Sequence, residues 1–598
     1  MSRLSPKGLF LFGIFMSLFI TFFNGCLTPS KINKPNVIII LTDDQGWGDL
    51  GIHGNSVLST PHLDRLAERS IQFERFYVSP LCAPTRASLL SGRYHLRTGT
   101  TWVTHRKEVM DSDEITIAEI LKENNYSTAL FGKWHNGHQY PNNPQGQGFD
   151  HFYGFSAGHW NNYFNTQLEL NGTTVTCRGY LIDDLTQKAM DWMGAQNEPF
   201  FCLMSYNTPH SPFQVSDTYF NKYKEMGLDD KNAAVYGMCE NIDDNVGEIL
   251  DWLESTEQEK NTIVIFLTDN GPNGNDRYNG NMRGAKGSVY EGGVRVPLFI
   301  QWEEHLNPKT ITTPSSHIDI LPTLMGLCDI QLPPDLNLDG TDLSNQLLDD
   351  SQDNPDREIL TFPGHFKNSP FPGSIRNSQF AVVMLDDDKF ELYDLINDPS
   401  QTTDIAKTKG DLLTKMSSRY MKIYGEIVRE RDLSEVPPIP VGHTASLSTF
   451  LPAPEAQLTN GVEFKGGYGW ANDWIINWDN GAEASWKLDN ITSSNYEAVL
   501  HYNSSIESKG PLLLALTPQS GNSISFAISE AFWPPYIASP DRVKRGEVYE
   551  KKWNQKSIGT FRLPSGDINL RLTGVQINTG DTLEVKGLTL TRINDFTE

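Results

Sequence analysis

"VIIILTDD" at residues 37–44 and "IVIFLTDN" at residues 263–270 end alike. Each is a short unbroken apolar run closed by two oxygen-bearing side chains, which reads as a strand buried on both faces of a parallel sheet. In an open α/β sheet, ligands sit beyond the carboxyl ends of the strands. Two such ends on neighbouring strands would therefore aim Asp43, Asp44, Asp269 and Asn270 at one point. Three carboxylates and an amide oxygen suit a hard divalent cation, Ca²⁺ or Mg²⁺, and lack the imidazole or thiolate that zinc prefers. Either pair alone also reads as a cap on a following turn; both together point to a site.

Further apolar runs, "STALFGKWH" (127–135), "PFFCLMSYNTPH" (199–210) and "RVPLFIQW" (295–302), alternate with helical periods such as "TPHLDRLAERS" (60–70) and "ITIAEILKENN" (115–125). The expectation is an α/β core over 34–302, a central sheet with helices on both faces. A small α+β subdomain is expected over 303–435, from the helix-like "SSHIDILPTLMGL" and the hairpin-like "FAVVMLDDDKFELYDL". Pro and small polar residues predict a linker at 436–455. Beyond it, short strands with turn residues and no helical period predict a β-sandwich over 456–598.

The chain has 598 residues and a formal net charge of -25, which excludes nucleic acid and anionic membrane surfaces as general partners. An anionic substrate must meet a local basic pocket. Arg3 and Lys7, an apolar run from Gly8 to Phe23 and then Gly25-Cys26 give the layout of an export signal over 1–26, too short for a membrane span. Gly25-Cys26 resembles a bacterial lipoprotein processing box. The expectation is a periplasmic or surface protein, attached to the outer membrane only by lipid on Cys26. Cys82, Cys177, Cys202, Cys239 and Cys328 have no CxxC spacing, which excludes a zinc ribbon and a dense disulfide scaffold.

Cys82 stands in "PLCAPTRASLLSGR" (80–93). Pro84 fits the first turn of a helix and Gly92 its end, which puts Cys82 just outside a helix N-terminus that favours an anion. Arg86 projects back toward the same spot. A thiol is mismatched beside hard oxygen donors.

Cys82-Ala83-Pro84-Thr85-Arg86 followed by "ASLLSGR" resembles the signature of the type I, formylglycine-dependent sulfatases of the alkaline phosphatase superfamily. That resemblance covers residues 36 to about 435. It implies that a maturase enzyme oxidises Cys82 to formylglycine (3-oxoalanine), whose hydrate attacks the sulfur of a sulfate ester. It also implies Ca²⁺ held by Asp43, Asp44, Asp269, Asn270 and residue 82. Lys133 and His135 match the family's Lys-x-His pair, His210 the histidine that contacts sulfate and protonates the leaving oxygen, and Lys286 a second sulfate-binding lysine. Alternation by two would set Lys133 and His135 on one side of a strand. Arg86, Lys133 and Lys286 are expected to stabilise the sulfuryl group with the cation.

The segment "SEAFWPPYIASPDRVKRGEVYEKKW" (529–553) resembles part of the β-sandwich appended to many sulfatases of polysaccharide-degrading bacteria, which implies a sulfated oligo- or polysaccharide substrate. His159, Trp160 and Asn162 fall where related enzymes often line the substrate pocket. Trp470, Trp474 and Trp478 read either as a sugar platform or as core. Two rival readings are a phosphonate or phosphodiester hydrolase of the same superfamily, and a non-catalytic surface lipoprotein that holds sulfated glycans.

Overall fold

The computed structural model describes residues 34–349, 354, 356–362, 369–508, 510–518 and 523–593. The expected export segment and Cys26 lie outside these. No helix among the described residues is long and apolar enough to cross a membrane.

Strand β1 (Asn36–Asp43) is the centre of a 10-stranded sheet and is buried along its whole length. Its side chains alternate between two cores. Val37, Ile39 and Leu41 pack with Ala87, Leu89 and Leu90, whereas Ile38 and Ile40 pack with Leu63, Leu66 and Ala67 of the helix Pro61–Glu68. That alternation explains the unbroken apolar run: both faces are covered, so neither set of positions can be polar. Each such side chain contributes about 1.5–3 kcal/mol by burial.

Helix α1 (Cys82–Ser91) is buried throughout and ends on Gly92, whose φ of 67° is the left-handed C-cap expected of glycine. Strands β2 (Ser127–Lys133), β3 (Phe200–Pro209) and β4 (Thr262–Thr268) run parallel with β1 in the spatial order β4-β1-β3-β2. All four therefore end at the same edge. An antiparallel strand, Leu298–Gln301, continues the sheet beyond β4. The α/β expectation for the core holds.

The boundary at residue 303 does not. The helix Ile320–Leu327 packs Leu321, Leu324 and Met325 into the same core as β1, and Lys309–Ile311 forms the far strand of the main sheet. The small subdomain proper is a four-stranded antiparallel sheet, from Ile359–Thr361 to Phe390–Asp394, backed by the helix Gly410–Glu430.

The expected linker at 436–455 is also corrected, because it forms part of the sandwich. Ile439–Val441 pairs with Glu483–Asn490, and Ser448–Pro452 pairs with Thr582–Ile593. Pro440 is tolerated because its strand is the last of its sheet. The two sheets enclose one core that includes Trp478 and Trp486. Trp474 is wholly buried too, so two of the three tryptophans considered as a sugar platform are packing residues.

The sandwich docks on the α/β core through Arg106. Its Nε and Nη2 donate to the carbonyls of Pro437 and Pro438 at 2.7 and 2.9 Å, and Nη1 donates to Glu455 at 3.1 Å. Glu108, His138 and Glu455 gather at this junction with one ligand atom each within 4.8 Å of the others. The five described cysteines are buried and form no disulfide among the described residues.

Candidate active site

Parallel strand order converts four distant sequence stretches into one cluster. Asp43 ends β1, and Asp44 follows it with φ 66°. Asp269 and Asn270 follow β4, His210 follows β3, and Lys133 ends β2. Thr42 pairs with Thr268 and Asp43 with Pro209, so the ends of β1, β3 and β4 are level. Helix α1 points its N-terminus at this edge, with Cys82 as the first helical residue and Leu81 as the N-cap. Cys82, Asp43 and Asp269 bring ligand atoms within 4.8 Å of one another.

The basic residues join the acidic ones directly. Lys133 Nζ donates to Asp43 Oδ2 at 2.6 Å, and Lys286 Nζ to Asp44 Oδ1 at 2.6 Å. His210 Nε2 lies 3.8 Å from Asp44 Oδ2, while its Nδ1–H donates to the Ser211 carbonyl at 2.7 Å. Burial pushes the Asp43 carboxyl up, but Lys133, His210, Arg86 and Lys286 outweigh it and hold it well below the usual carboxylate range. Asp269 is pushed up to about 7, first by burial and then by the Asp43 charge, with Arg86 opposing. Burial raises the Cys82 thiol, so it stays protonated and is a poor nucleophile as it stands.

The donor set fits a hard cation on three observations. Asp43 Oδ1, Asp44 Oδ2 and Asn270 Oδ1 are buried and accept no hydrogen bond. Such orphaned oxygens carry a desolvation cost that a cation would relieve. Asn270 is oriented for this, since its Nδ2 donates to Asp44 Oδ1 at 2.8 Å and to the Gly271 carbonyl at 2.9 Å. The charges also favour it. Arg86, Lys133 and Lys286 offset Asp43, Asp44 and Asp269, so a cation would add to the attraction for an anionic ester.

Arg86 is engaged by its own neighbours: Nε and Nη2 both donate to Asp269 Oδ2, at 3.0 and 2.8 Å, and Nη1 donates to the Lys133 carbonyl and to Ser205 Oγ. A guanidinium so fully used holds a carboxylate in place. One expectation is corrected: His135 does not share a strand face with Lys133. It lies past the end of β2 with φ 72°, because Trp134 and His135 donate their N–H groups to Phe155 and Ser156 as the chain turns. Its Nε2–H donates to the Val103 carbonyl at 3.0 Å, and the buried Nδ1 has no partner. Burial, helped by Lys133, keeps this imidazole neutral, so Nδ1 is a proton acceptor.

Sequence reasoning missed Ser205, which anchors Arg86, and Arg277, which donates to both oxygens of Asp49 and to the Asp44 carbonyl at 3.0 Å. Neither stands in a motif, so nothing in the chain distinguishes them from other serines and arginines. Asp49 was open to notice as a third acidic residue shortly after Asp43-Asp44.

Residues 35–330 match the Sulfatase family, and residues 285–423 match the N-sulphoglucosamine sulphohydrolase C-terminal family. The N-acetylgalactosamine-6-sulfatase of Mus musculus is 31% identical over 380 residues, 57% of this chain and 71% of that protein. This chain belongs to the sulfatase family. As a sulfatase it is a sulfuric ester hydrolase. The uncharacterized sulfatase YdeN of Escherichia coli K12 is 28% identical over 500 residues, 69% of this sulfatase and 88% of that protein. Among solved structures, Ps i-CgsB in complex with k-i-k-neocarrahexaose is 30% identical with a TM-score of 0.62, covering 68% of this chain and 94% of that one. A structure named BT33336S-sulf, from work on glycosaminoglycan metabolism in Bacteroides thetaiotaomicron, is 26% identical with a TM-score of 0.56, covering 66% and 100%.

Proposed function

We propose that this sulfatase removes sulfate from a sulfated carbohydrate, an oligosaccharide of the carrageenan or glycosaminoglycan type, as an exported enzyme anchored by lipid on Cys26. The observation that carries the reading is the cluster itself: three orphaned oxygens of Asp43, Asp44 and Asn270 beside Cys82 at a helix N-terminus, ringed by Lys133, Lys286 and His210. The relatives' carbohydrate substrates support the substrate class.

Asp43, Asp44, Asp269 and Asn270 would hold Ca²⁺, with residue 82 in formylglycine form completing the shell. When hydrated, that side chain supplies one hydroxyl to attack sulfur and a second whose collapse to the aldehyde expels sulfate by C–O cleavage. Lys133 and Lys286 bind the equatorial sulfate oxygens. His135 Nδ1 accepts a proton within the site, and His210 donates one from Nε2 to the leaving oxygen, where negative charge grows as the S–O bond breaks. Each well-placed group of this kind contributes roughly 3–4 kcal/mol to lowering the barrier.

The test has two parts. The mass of the tryptic peptide spanning residue 82, from protein made with a maturase, is expected to show conversion of the thiol to the aldehyde. Free sulfate is then measured over a panel of carrageenan and glycosaminoglycan oligosaccharides, with Cys82→Ala as control. Wild-type rates in the alanine variant would refute the assignment, and faster turnover of an aryl phosphodiester than of an aryl sulfate would redirect it.

A further inference from the structure

The segment 529–553 leaves the sandwich and runs back onto the catalytic region. Arg545 Nη1 donates to the Asn161 carbonyl at 2.8 Å, and Asn161 Nδ2 donates to Glu550 Oε2 at 2.7 Å. Arg542 Nη2 reaches the Val215 carbonyl at 2.8 Å, and Gln214 Nε2 donates to Asp541 at 2.7 Å. These bonds deliver Glu547 to the residue next to His210. Its Oε1 accepts from Ser211 Oγ at 2.6 Å and lies 3.9 Å from His159 Nδ1. The His159 ring is centred 6.0 Å from that of His210.

Ser211 is the residue that orients His210, because its carbonyl accepts the imidazole Nδ1–H at 2.7 Å. The catalytic region grips the Ser211 carbonyl with Tyr163 Oη, 2.8 Å away. Among the described residues, its side chain is held from the sandwich, by Glu547. His159 is fixed from both domains too: its Nε2–H donates to Asn161 Oδ1 at 3.0 Å, and its carbonyl accepts from Asn472 of the sandwich at 2.7 Å. Glu547 is ionised, held at about 2: burial opposes this, but His159, the Ser211 hydroxyl and His210 prevail.

We propose that Glu547, carried by the C-terminal sandwich, is a positioning residue for proton donation by His210, acting through Ser211. This rests on the sulfatase reading with His210 as the general acid. A general acid works only when aligned with the oxygen it protonates, and a displacement of about 1 Å costs on the order of 100-fold. The sandwich is then part of the catalytic apparatus.

The consequence is selective. An acidic phenol leaves without a proton, whereas a sugar alkoxide needs one. In the full-length enzyme, Glu547→Ala is expected to lower kcat/KM on the oligosaccharide turned over fastest by roughly 10–100-fold. Turnover of p-nitrophenyl sulfate should stay within about 3-fold, since its leaving group needs little acid assistance. Glu547→Gln, whose amide oxygen still accepts from Ser211, restores most of the loss. Ser211→Ala reproduces the alanine pattern and serves in its place should Glu547→Ala fail to fold. Equal losses on both substrates, no loss on either, or a Gln variant as impaired as the Ala variant overturns the proposal. Failure of the sulfatase reading would look different: the unaltered enzyme would not release sulfate from the aryl ester.

Discussion

Arg86 and Asp269 form a buried ion pair in which Nε and Nη2 of the arginine converge on one carboxylate oxygen. The other oxygen, Oδ1, accepts the Asp44 N–H at 3.3 Å. The arginine of the signature stretch therefore orients a proposed calcium ligand, and the chain needs it to be planar and two-pronged.

Arg86→Lys is expected to act on metal affinity before it acts on chemistry. A lysine cannot span Asp269, Ser205 and the Lys133 carbonyl together. The Ca²⁺ concentration for half-maximal activity, measured by titration of chelated enzyme, should rise by about 10-fold or more, as loss of a partner that orients a metal ligand does. An unchanged midpoint would show that Asp269 is held adequately without the guanidinium.

Gly158 presses on a proposed catalytic residue. A Cβ there would come within 2.0 Å of His135 Nε2, which leaves no room for both. Gly158→Ala should therefore displace the imidazole from the Val103 carbonyl and lower kcat by on the order of 100-fold. Sulfate release and circular dichroism together check that activity falls while the fold persists.

Chelation should cost both activity and stability. Without the proposed Ca²⁺, Asp43 Oδ1, Asp44 Oδ2 and Asn270 Oδ1 are buried and accept no hydrogen bond. Saturating Ca²⁺ at 100 times Kd stabilises by about 2.7 kcal/mol. Thermal melts with and without a chelator should differ accordingly. Ca²⁺ should restore both properties and Zn²⁺ should not, because the donors are hard oxygens.

At the domain junction, Glu108 is 5% exposed and its carboxyl is pushed up to about 7, first by burial and then by Glu455. A raised carboxyl stabilises most below its unfolded value near 4.5, and that contribution fades as pH rises through 7. Glu108→Gln stays neutral throughout. Its melting temperature should gain on the wild type between pH 5.5 and 8.5, by roughly 2 °C. Parallel melting curves across that range would contradict the raised value.

The main sheet was legible because its strands are buried on both faces and so write themselves as apolar runs, as in 37–41 and 263–267. The acidic strand ends were legible for the same reason: a run that stops in Asp-Asp or Asp-Asn has to put those groups somewhere wet or charged. The Pro-rich 436–455 misled because an edge strand tolerates proline, so composition alone could not separate Ile439–Val441 from a linker. The conformation of His135 was hidden because alternation by two holds only while a strand continues, and the turn after Lys133 is set by pairing with Phe155 and Ser156. Glu547 carried no local signal, since its meaning comes from Ser211, far away in the chain.

Burial of Cys82 also sets a schedule for biosynthesis. At 3% exposure in the finished molecule, the thiol is shut away from any other enzyme, so the proposed oxidation would have to precede folding. Glu547 reaches Ser211 only after most of the chain has been translated, which makes this contact one of the last to form.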